Sequence, residues 1–319
     1  MFLASLPTLF LAYSTGHAPP TRHLFHATSR SSAPTLLLAG NPALDYVAAF
    51  FASAVSTGAV YPVESFKVRQ QAGAPFVFGG DESPLNLLKG IELGLAKECP
   101  NAAIYLGAYY SLRSAALSLP QLEGRENDAV VLFWVALICG ALGDAAGSPL
   151  RLPFELVGKN IQAGRGVEGR PFGESLEAAL PQEGRAGFLL ETWYAVLARD
   201  MPFGALQLVF YELAKLVIEP SLGESFVAHL LEGGIAGGMT AIVTTPIDCS
   251  ITRLMLVDAS GASDMRGVDN IVDAAGAVWS EQGPIGFTKG WLTRAAQFGP
   301  AAMVFFSAFE TLYYVIERL

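Results

Sequence analysis

An apolar segment that ends in a proline and an acid occurs three times in the chain, and this repetition restricts the possible folds most. In each copy the acid follows the proline by two residues: Pro62 and Glu64, Pro153 and Glu155, Pro246 and Asp248. The prolines recur about every 90 residues, and a fixed period indicates repeated structural units. A proline inside an apolar helix removes a hydrogen bond and kinks the helix, which membrane helices tolerate when neighbours cover the break. We therefore predict three equivalent units, each with a kinked apolar helix.

A second apolar segment follows each of these, and it too contains a proline, at Pro100, Pro202 and Pro300. When the three segments are aligned on that proline, two positions near their ends fall in register. The first position holds Tyr110, Glu212 and Glu310, and the second, three residues later, holds Arg113, Lys215 and Tyr313. Each repeat therefore contains two long apolar segments.

The composition favours a membrane protein. Only 15% of the residues are charged and 52% are apolar, and the mean hydropathy is +0.40. No segment is an uncharged stretch of about 20 residues, so a hydropathy scan should find fewer than six spans. The alternative is a soluble all-helical protein, but its charges should scatter over polar faces, whereas these charges recur at equivalent places in the repeats.

Residues 1–40 are predicted to be a targeting leader. An uncharged apolar run at 2–13 has the length of a signal peptide, and a stretch rich in Ser, Thr and Pro follows it. The first acid is Asp45, and a lack of acids is typical of organellar transit peptides. This two-part pattern suggests a plastid; the alternative is a disordered tail without consequence.

We divide the remainder into repeats at 41–123, 124–220 and 221–319. The predicted apolar helices cover 42–71, 89–119, 129–162, 188–217, 224–256 and 287–316. Two of the longer links should carry short helices, near 175–180 and 270–279.

These features resemble the mitochondrial carrier family, and within it the S-adenosylmethionine carriers. The second likeness rests on RLPFELVGKNIQ (151–162), LARDMPFGALQLVFYE (197–212), CPNAA (99–103) and TTPID (244–248). The resemblance implies an all-α membrane protein, with six transmembrane helices forming a pseudo-threefold barrel around a water-filled cavity. It implies a monomer in the lipid bilayer that carries a small molecule, uses no cofactor and no nucleic acid, and is not an enzyme. The family suggests the mitochondrial inner membrane, and the leader suggests the plastid envelope.

In the family, each Pro-x-acid motif is followed by a base three residues after the acid, and acids pair with bases of the next repeat. Here the base positions hold Lys67, Gly158 and Ile251, so only the Asp248–Lys67 pair can form as prescribed. Lys159 and Arg253 are close enough in sequence to substitute. The matrix-side gate is predicted to comprise Glu64, Lys67, Gln71, Glu155, Gln162 and Asp248.

The opposite gate would pair the two aligned positions of the even segments. Of its six members (Tyr110, Arg113, Glu212, Lys215, Glu310 and Tyr313), only Glu310 and Arg113 keep an ion pair. Both gates are therefore expected to be weak. The alternative is that these polar residues simply face lipid headgroups.

Counting 13 residues back from the first aligned position gives Lys97, Arg199 and Gln297, which correspond to the family's substrate contact points. The set of candidate binding residues is completed by Glu98, Asp200, Arg151 and Arg294. Arg can bind a carboxylate with two parallel hydrogen bonds and Asp can balance a cation, which suits a ligand with a carboxylate, an ammonium and a sulfonium. Adjacent helical residues point about 100° apart, so one of Arg199 and Asp200 should face the cavity. Arg294 is either a cavity cation or a headgroup anchor, and Asp144 is expected to pack against a neighbour.

The sequence contains no metal-ligand spacing and no nucleophile–base set. Cys99, Cys139 and Cys249 are interpreted as small apolar residues. The net charge of −9 argues against strong dependence on anionic lipid and against highly anionic substrates such as nucleotides.

Three functions stay open from the sequence. The chain carries S-adenosylmethionine or a related zwitterion; or it carries another amino-acid or carboxylate metabolite, as Lys97 and Glu98 suggest. The third possibility is a degenerate carrier that no longer transports and serves as a membrane interaction protein.

Overall fold

The computed structural model of the protein describes residues 42–73, 83–122, 128–165, 169–181, 183–222, 226–256, 268 and 270–316. The predicted leader, 1–40, lies outside the described residues.

Six long helices and two short ones make up most of the described chain. They are α1 Pro42–Gln71, α2 Ile91–Leu117, α3 Ala129–Gln162, α4 Phe172–Ala179, α5 Arg185–Leu222, α6 Phe226–Met255, α7 Ile271–Gln282 and α8 Trp291–Ile316. Short 3-10 helices occupy Pro84–Leu88, Pro120–Leu122 and Pro284–Thr288. The six long helices correspond to the six predicted segments, but α5 extends beyond 188–217 at both ends, and α2 and α8 begin later than predicted.

The predicted starts of α2 and α8 are too early, and a repeated turn explains why. Lys89-Gly90 and Lys289-Gly290 follow 3-10 helices, and both glycines adopt positive φ angles, of 80° and 75°. A left-handed backbone favours glycine and ends the preceding element. Each of these helices therefore begins just after its glycine.

The long helices form a closed ring. Each packs on the next long helix in the chain, from α1 through α2, α3, α5, α6 and α8, and α8 packs back on α1. The closing contact includes a hydrogen bond of 2.9 Å from Ser56 Oγ to the carbonyl of Ala301. Gly234 and Gly299 let α6 and α8 approach closely, since a Cβ on Gly234 would lie 3.5 Å from the Gly299 Cα.

The ring carries its polar residues inside and apolar ones outside. Large apolar side chains are exposed along its outer surface, among them Phe51, Trp134, Ile138, Tyr194 and Val243. Four of the described helices have stretches long and apolar enough to cross a membrane: Tyr46–Gln71, Val130–Gln162, Arg185–Ile218 and Leu230–Met255. As predicted, hydropathy finds fewer than six spans.

The three motif prolines lie inside helices that continue past them. Pro62, Pro153 and Pro246 are interior residues of α1, α3 and α6. Before Pro246, the hydroxyls of Thr244 and Thr245 donate to the carbonyls of Thr240 and Ala241, at 2.8 and 2.6 Å. Such bonds to the preceding turn favour helix bending. The carboxylates that follow the prolines lie inside the ring: Glu64 and Glu155 line its cavity, and Asp248 contacts Arg199 and Arg294.

Candidate substrate cavity and gate

A partly open cavity lies within the ring, with a volume of about 710 Å³ including its mouth. Side chains from α1, α2, α3, α5 and α8 line it. Its charged lining residues are Glu64, Lys67, Lys97, Glu98, Arg151, Glu155, Lys159 and Arg199. Ionised side chains at membrane depth are costly unless they face water or one another, and here they do both.

Asp248, on α6, is the most heavily bonded of the predicted gate residues and has no exposed surface. Its Oδ2 atom lies 2.9 Å from Arg294 Nη1 and 3.3 Å from Lys67 Nζ. The same oxygen accepts a hydrogen bond of 3.0 Å from Gln71 Nε2. Its Oδ1 atom lies 3.0 Å from Arg199 Nη1. The carboxylate thus joins α1, α5, α6 and α8 at one point.

Gln71 is itself held in place. Its Oε1 atom accepts a hydrogen bond of 2.8 Å from Thr252 Oγ1. Both ends of this amide are therefore bonded to α6. Gln162 is also buried, and its carbonyl accepts a hydrogen bond of 3.1 Å from Arg69 Nε.

Glu155 receives cations from its own helix and from α5. Its carboxylate lies 3.2 Å from Lys159 Nζ, 3.6 Å from Arg151 Nε and 3.4 Å from Arg199 Nη1. Lys159 is thus close to the acid of its own repeat, one helical turn away. Arg253, the other suggested substitute, is not part of the gate. It pairs instead with Glu281 at 2.8 Å, and both side chains are partly exposed.

Glu64 lies at the more accessible side of the network. Its Oε1 atom is 3.0 Å from Lys97 Nζ, and Lys97 is also 3.2 Å from Glu98 Oε1. The exposed fractions of these side chains are 16% for Glu64, 15% for Glu98 and 10% for Lys97. These three residues are the charged groups that a solute entering the cavity reaches most easily.

Asp200 does not line the cavity, although the sequence made it a candidate ligand for a cation. Arg199 Nε and Nη2 donate to its two oxygens at 2.7 and 3.2 Å, and Arg151 Nη2 donates to it as well. Of the pair, Arg199 is the residue that lines the cavity. Arg151 also lies 3.4 Å from Asp144, so Asp144 packs against a neighbour as expected.

Arg294 is neither a cavity cation nor a headgroup anchor. It is completely buried, bonded to Asp248 and, through Nη2 at 3.1 Å, to Thr244 Oγ1. Its guanidinium also lies 5.8 Å from the ring centroid of Phe298. The sequence placed Arg294 one helical turn from Gln297. It could not show that Asp248, on α6, lies beside Arg294.

Among the described residues, the ion pairs inside the ring contain equal numbers of acids and bases. Six bases meet six acids: Lys67, Lys97, Arg151, Lys159, Arg199 and Arg294 against Glu64, Glu98, Asp144, Glu155, Asp200 and Asp248. Every motif acid therefore has a cation, although two of the expected gate bases are missing. The strength of this predicted gate stays a prediction.

The opposite gate is described only in part. The side chains of Glu212, Glu310 and Tyr313 lie outside the described residues, so the Glu310–Arg113 pair stays a prediction. Lys215 lies on α5 with its Nζ 5.9 Å from the ring centroid of Tyr211. Tyr110 and Arg113 are on α2 and partly buried. Gln297, the third contact position, lines the cavity.

The structure combines a ring of six helices, three Pro-x-acid motifs and a cavity lined by charged side chains. These features are those of a helical membrane carrier. The chain belongs to the mitochondrial carrier family. A family profile described as "Mitochondrial carrier protein" matches residues 223–318. The probable S-adenosylmethionine carrier 2, chloroplastic, of Arabidopsis thaliana is 30% identical over 272 residues, covering 84% of this chain and 72% of the relative.

Other relatives carry different names. The mitochondrial RNA-splicing protein MRS3 of Saccharomyces cerevisiae is 26% identical over 278 residues, covering 83% of this chain and 85% of the relative. The mitoferrin of Caenorhabditis briggsae is 27% identical over 295 residues, covering 83% of this chain and 89% of the relative. Similarity establishes a transporter of the carrier family, and it leaves the substrate open.

Proposed function

We propose that this protein exchanges S-adenosylmethionine, or a closely related zwitterion, across an organellar inner membrane by alternating access. The observation that carries the proposal is the accessible charge set of the cavity, in which Lys97 lies between Glu64 and Glu98 at 3.0 and 3.2 Å. A ligand that carries both a carboxylate and cationic groups can replace these internal pairs one for one. Complementary charges of this kind give selectivity.

The cavity offers a role for each part of such a ligand. Lys97 and Arg199 are the cations that a carboxylate can bind, and on Arg199 the carboxylate would take the place of Glu155 or Asp248 at Nη1. Glu64 and Glu98 are the carboxylates that an ammonium and a sulfonium can approach. Gln297 and Phe298 line the same cavity and provide an amide and an aromatic ring for the remainder of the ligand.

The S-adenosylmethionine carriers among the relatives support this substrate class. Two of them, from Arabidopsis thaliana, are 30% and 29% identical to this chain. The Arg199-Asp200 pair also falls within the LARDMPFGALQLVFYE stretch that resembles those carriers.

A second candidate is a carrier for another amino-acid or carboxylate metabolite. Lys97 and Glu98 favour it, because an adjacent base and acid in the cavity can bind the two charges of any amino acid. This candidate stays open because relatives of similar identity, such as MRS3 and the mitoferrin, are not named as S-adenosylmethionine carriers.

Uptake by the purified protein in liposomes tests the proposal. Labelled S-adenosylmethionine should exchange, and Arg199→Ala should raise its half-saturation by roughly tenfold to a hundredfold, because removing one partner strands buried charges. Arg253→Ala is the matched control, since Arg253 pairs with Glu281 on the surface; its half-saturation should equal that of the wild type. Uptake of a simple amino acid or carboxylate alone would favour the second candidate. A folded protein that moves nothing on the panel would favour a non-transporting role.

We also propose that the leader directs the chain to a plastid. Fusing residues 1–40 to a fluorescent protein should produce plastid fluorescence. Mitochondrial fluorescence would assign the chain to the other organelle, and cytosolic fluorescence would show that the segment carries no address.

A further inference from the structure

Two of the three gate acids lack the base that the repeat pattern requires. The positions three residues after the motif acids hold Lys67, Gly158 and Ile251. Gly158 and Ile251 cannot form an ion pair, so Glu64 and Glu155 depend on other cations. An acid at membrane depth without a cation would be costly.

The missing cations come from the substrate contact positions. Lys97 Nζ lies 3.0 Å from Glu64 Oε1. Arg199 Nη1 lies 3.4 Å from Glu155 Oε1 and 3.0 Å from Asp248 Oδ1. Lys97 and Arg199 occupy equivalent places in their repeats, so two repeats have the same arrangement.

Lys97 and Arg199 also connect the motif acids to other helices. Within the described residues, the other cations on Glu155 are Lys159 and Arg151, and both belong to α3 itself. A bond within one helix does not hold two helices together. Lys97 joins α1 to α2, whereas Arg199 joins α5 to both α3 and α6. Only Asp248 also has a cation from the expected gate position, Lys67.

We propose that Lys97 and Arg199 serve both as substrate cations and as gate bases, so that the anionic group of a substrate opens the gate by taking them. For the substrate this inference rests on the proposed function, but the closure of the empty gate does not depend on it. Replacing one carboxylate on a buried cation by another costs little, whereas leaving that cation unpaired costs a great deal. A zwitterionic ligand supplies a carboxylate to Lys97 and Arg199 and cationic groups to the acids that they leave, so it releases Glu64 and Glu155 with little penalty.

Cys249 provides a reporter of the closed gate that needs no substrate. It follows Asp248 and is buried, with its Sγ 3.6 Å from Gln71 Nε2. The chain has three cysteines, so replacing Cys99 and Cys139 by alanine leaves Cys249 as the only thiol. The rate of its reaction with a small maleimide, in liposomes without any metabolite, measures how often the gate is open.

In this background Lys97→Met should react about tenfold faster, because losing one partner of a nearly buried ion pair favours the open state. Lys97→Arg should keep the slow rate, since it keeps the charge. Adding Gly158→Lys to Lys97→Met should restore the slow rate by supplying the missing base to Glu64. A Cβ at Gly158 would meet only the Cβ of Leu93 at 3.9 Å, so the site has room for a side chain. Gly158→Ala is the matched control, and it should not restore the slow rate.

Glu64→Gln gives a second, independent arm if Lys97→Met does not fold. It should also react about tenfold faster, and Gly158→Lys should not rescue it because the acid is gone. A wild-type rate in either folded single variant would overturn the proposal. So would equal rescue by Gly158→Ala and Gly158→Lys. A failure of S-adenosylmethionine uptake would leave these labelling rates unchanged and would count against the substrate alone.

Discussion

Glu64 and Asp248 occupy the same position in their repeats, two residues after the motif proline, yet their surroundings are opposite. The side chain of Glu64 is 16% exposed and lies 3.0 Å from one cation, Lys97. Asp248 has no exposed surface and is contacted by Lys67, Gln71, Arg199 and Arg294. One repeated motif therefore supplies both an accessible carboxylate and a fixed one.

The same contrast holds for the acids beside the contact positions. Glu98 lines the cavity, whereas both oxygens of Asp200 are bonded to arginine. The first repeat thus presents its acids to an entering solute, and the second and third repeats use theirs to hold helices together. This division predicts that neutralising the first-repeat acids mainly alters transport and that neutralising Asp248 mainly alters stability.

The largest difference should follow from neutralising the two equivalent acids. Asp248→Asn should lower the free energy of unfolding by about 3–5 kcal/mol, because it strands buried Lys67, Arg199 and Arg294. Glu64→Gln, the matched change, should cost only about 1.5 kcal/mol, since it strands a single cation, Lys97, which still contacts Glu98. Thermal unfolding of the purified proteins measures both. Equal losses in the two variants would remove the distinction between an accessible and a fixed acid.

Charge reversal should separate the same two regions. The double change Lys67→Asp with Asp248→Lys should be less stable than Lys67→Ala, because the new lysine would face Arg199 and Arg294, which lie 3.0 and 2.9 Å from Asp248. Glu64→Lys with Lys97→Glu should recover part of the melting temperature lost by Lys97→Ala, since it restores an ion pair between α1 and α2, although Glu98 then loses its contact with Lys97. Recovery in the first pair and not in the second would contradict the assignment.

A smaller effect should distinguish Glu98 from Asp200 in reading the substrate's charge. Glu98→Gln should raise the half-saturation for S-adenosylmethionine by about tenfold, and that for the neutral sulfur analogue S-adenosylhomocysteine by about threefold or less. Asp200→Asn should impair both ligands equally, because Asp200 positions Arg199 rather than contacting the ligand. Competition uptake in liposomes measures these ratios. A selective loss of S-adenosylmethionine in Asp200→Asn would place that acid back in the cavity.

The smallest expected effect is on the brace of the fixed acid. Gln71→Leu should cost about 1–2 kcal/mol of unfolding free energy, since it leaves one lone pair of Asp248 and the Thr252 hydroxyl without their partner. Thr252→Val removes only the bond that anchors Gln71 and should cost less, about 1 kcal/mol. Both are measured by thermal unfolding. A neutral Gln71→Leu variant would show that the three cations alone hold Asp248.

Local patterns in the sequence were sufficient for the helices. Apolar periodicity, the repeated prolines and the Lys-Gly turns depend on neighbouring residues, so the six segments and two short helices could be predicted within a few residues. The resemblance to the carrier family also pointed to Lys97 and Arg199 as residues of the cavity, and both line it. Asp200 was misplaced because a step of one residue along a helix turns the side chain by about 100°, and sequence alone does not fix which face points inward.

The sequence by itself determined that this protein is a three-repeat membrane carrier and which ionisable residues lie at the level of its cavity. Only the tertiary structure decided which base each acid pairs with: Lys97 with Glu64, and Arg199 with both Glu155 and Asp248. The physical reason is that an ion pair is formed by atoms about 3 Å apart across helices distant in sequence, and its strength depends on burial. Aligning the repeats predicts where along its helix a charged residue lies, but it does not predict which residues of other helices that charge contacts.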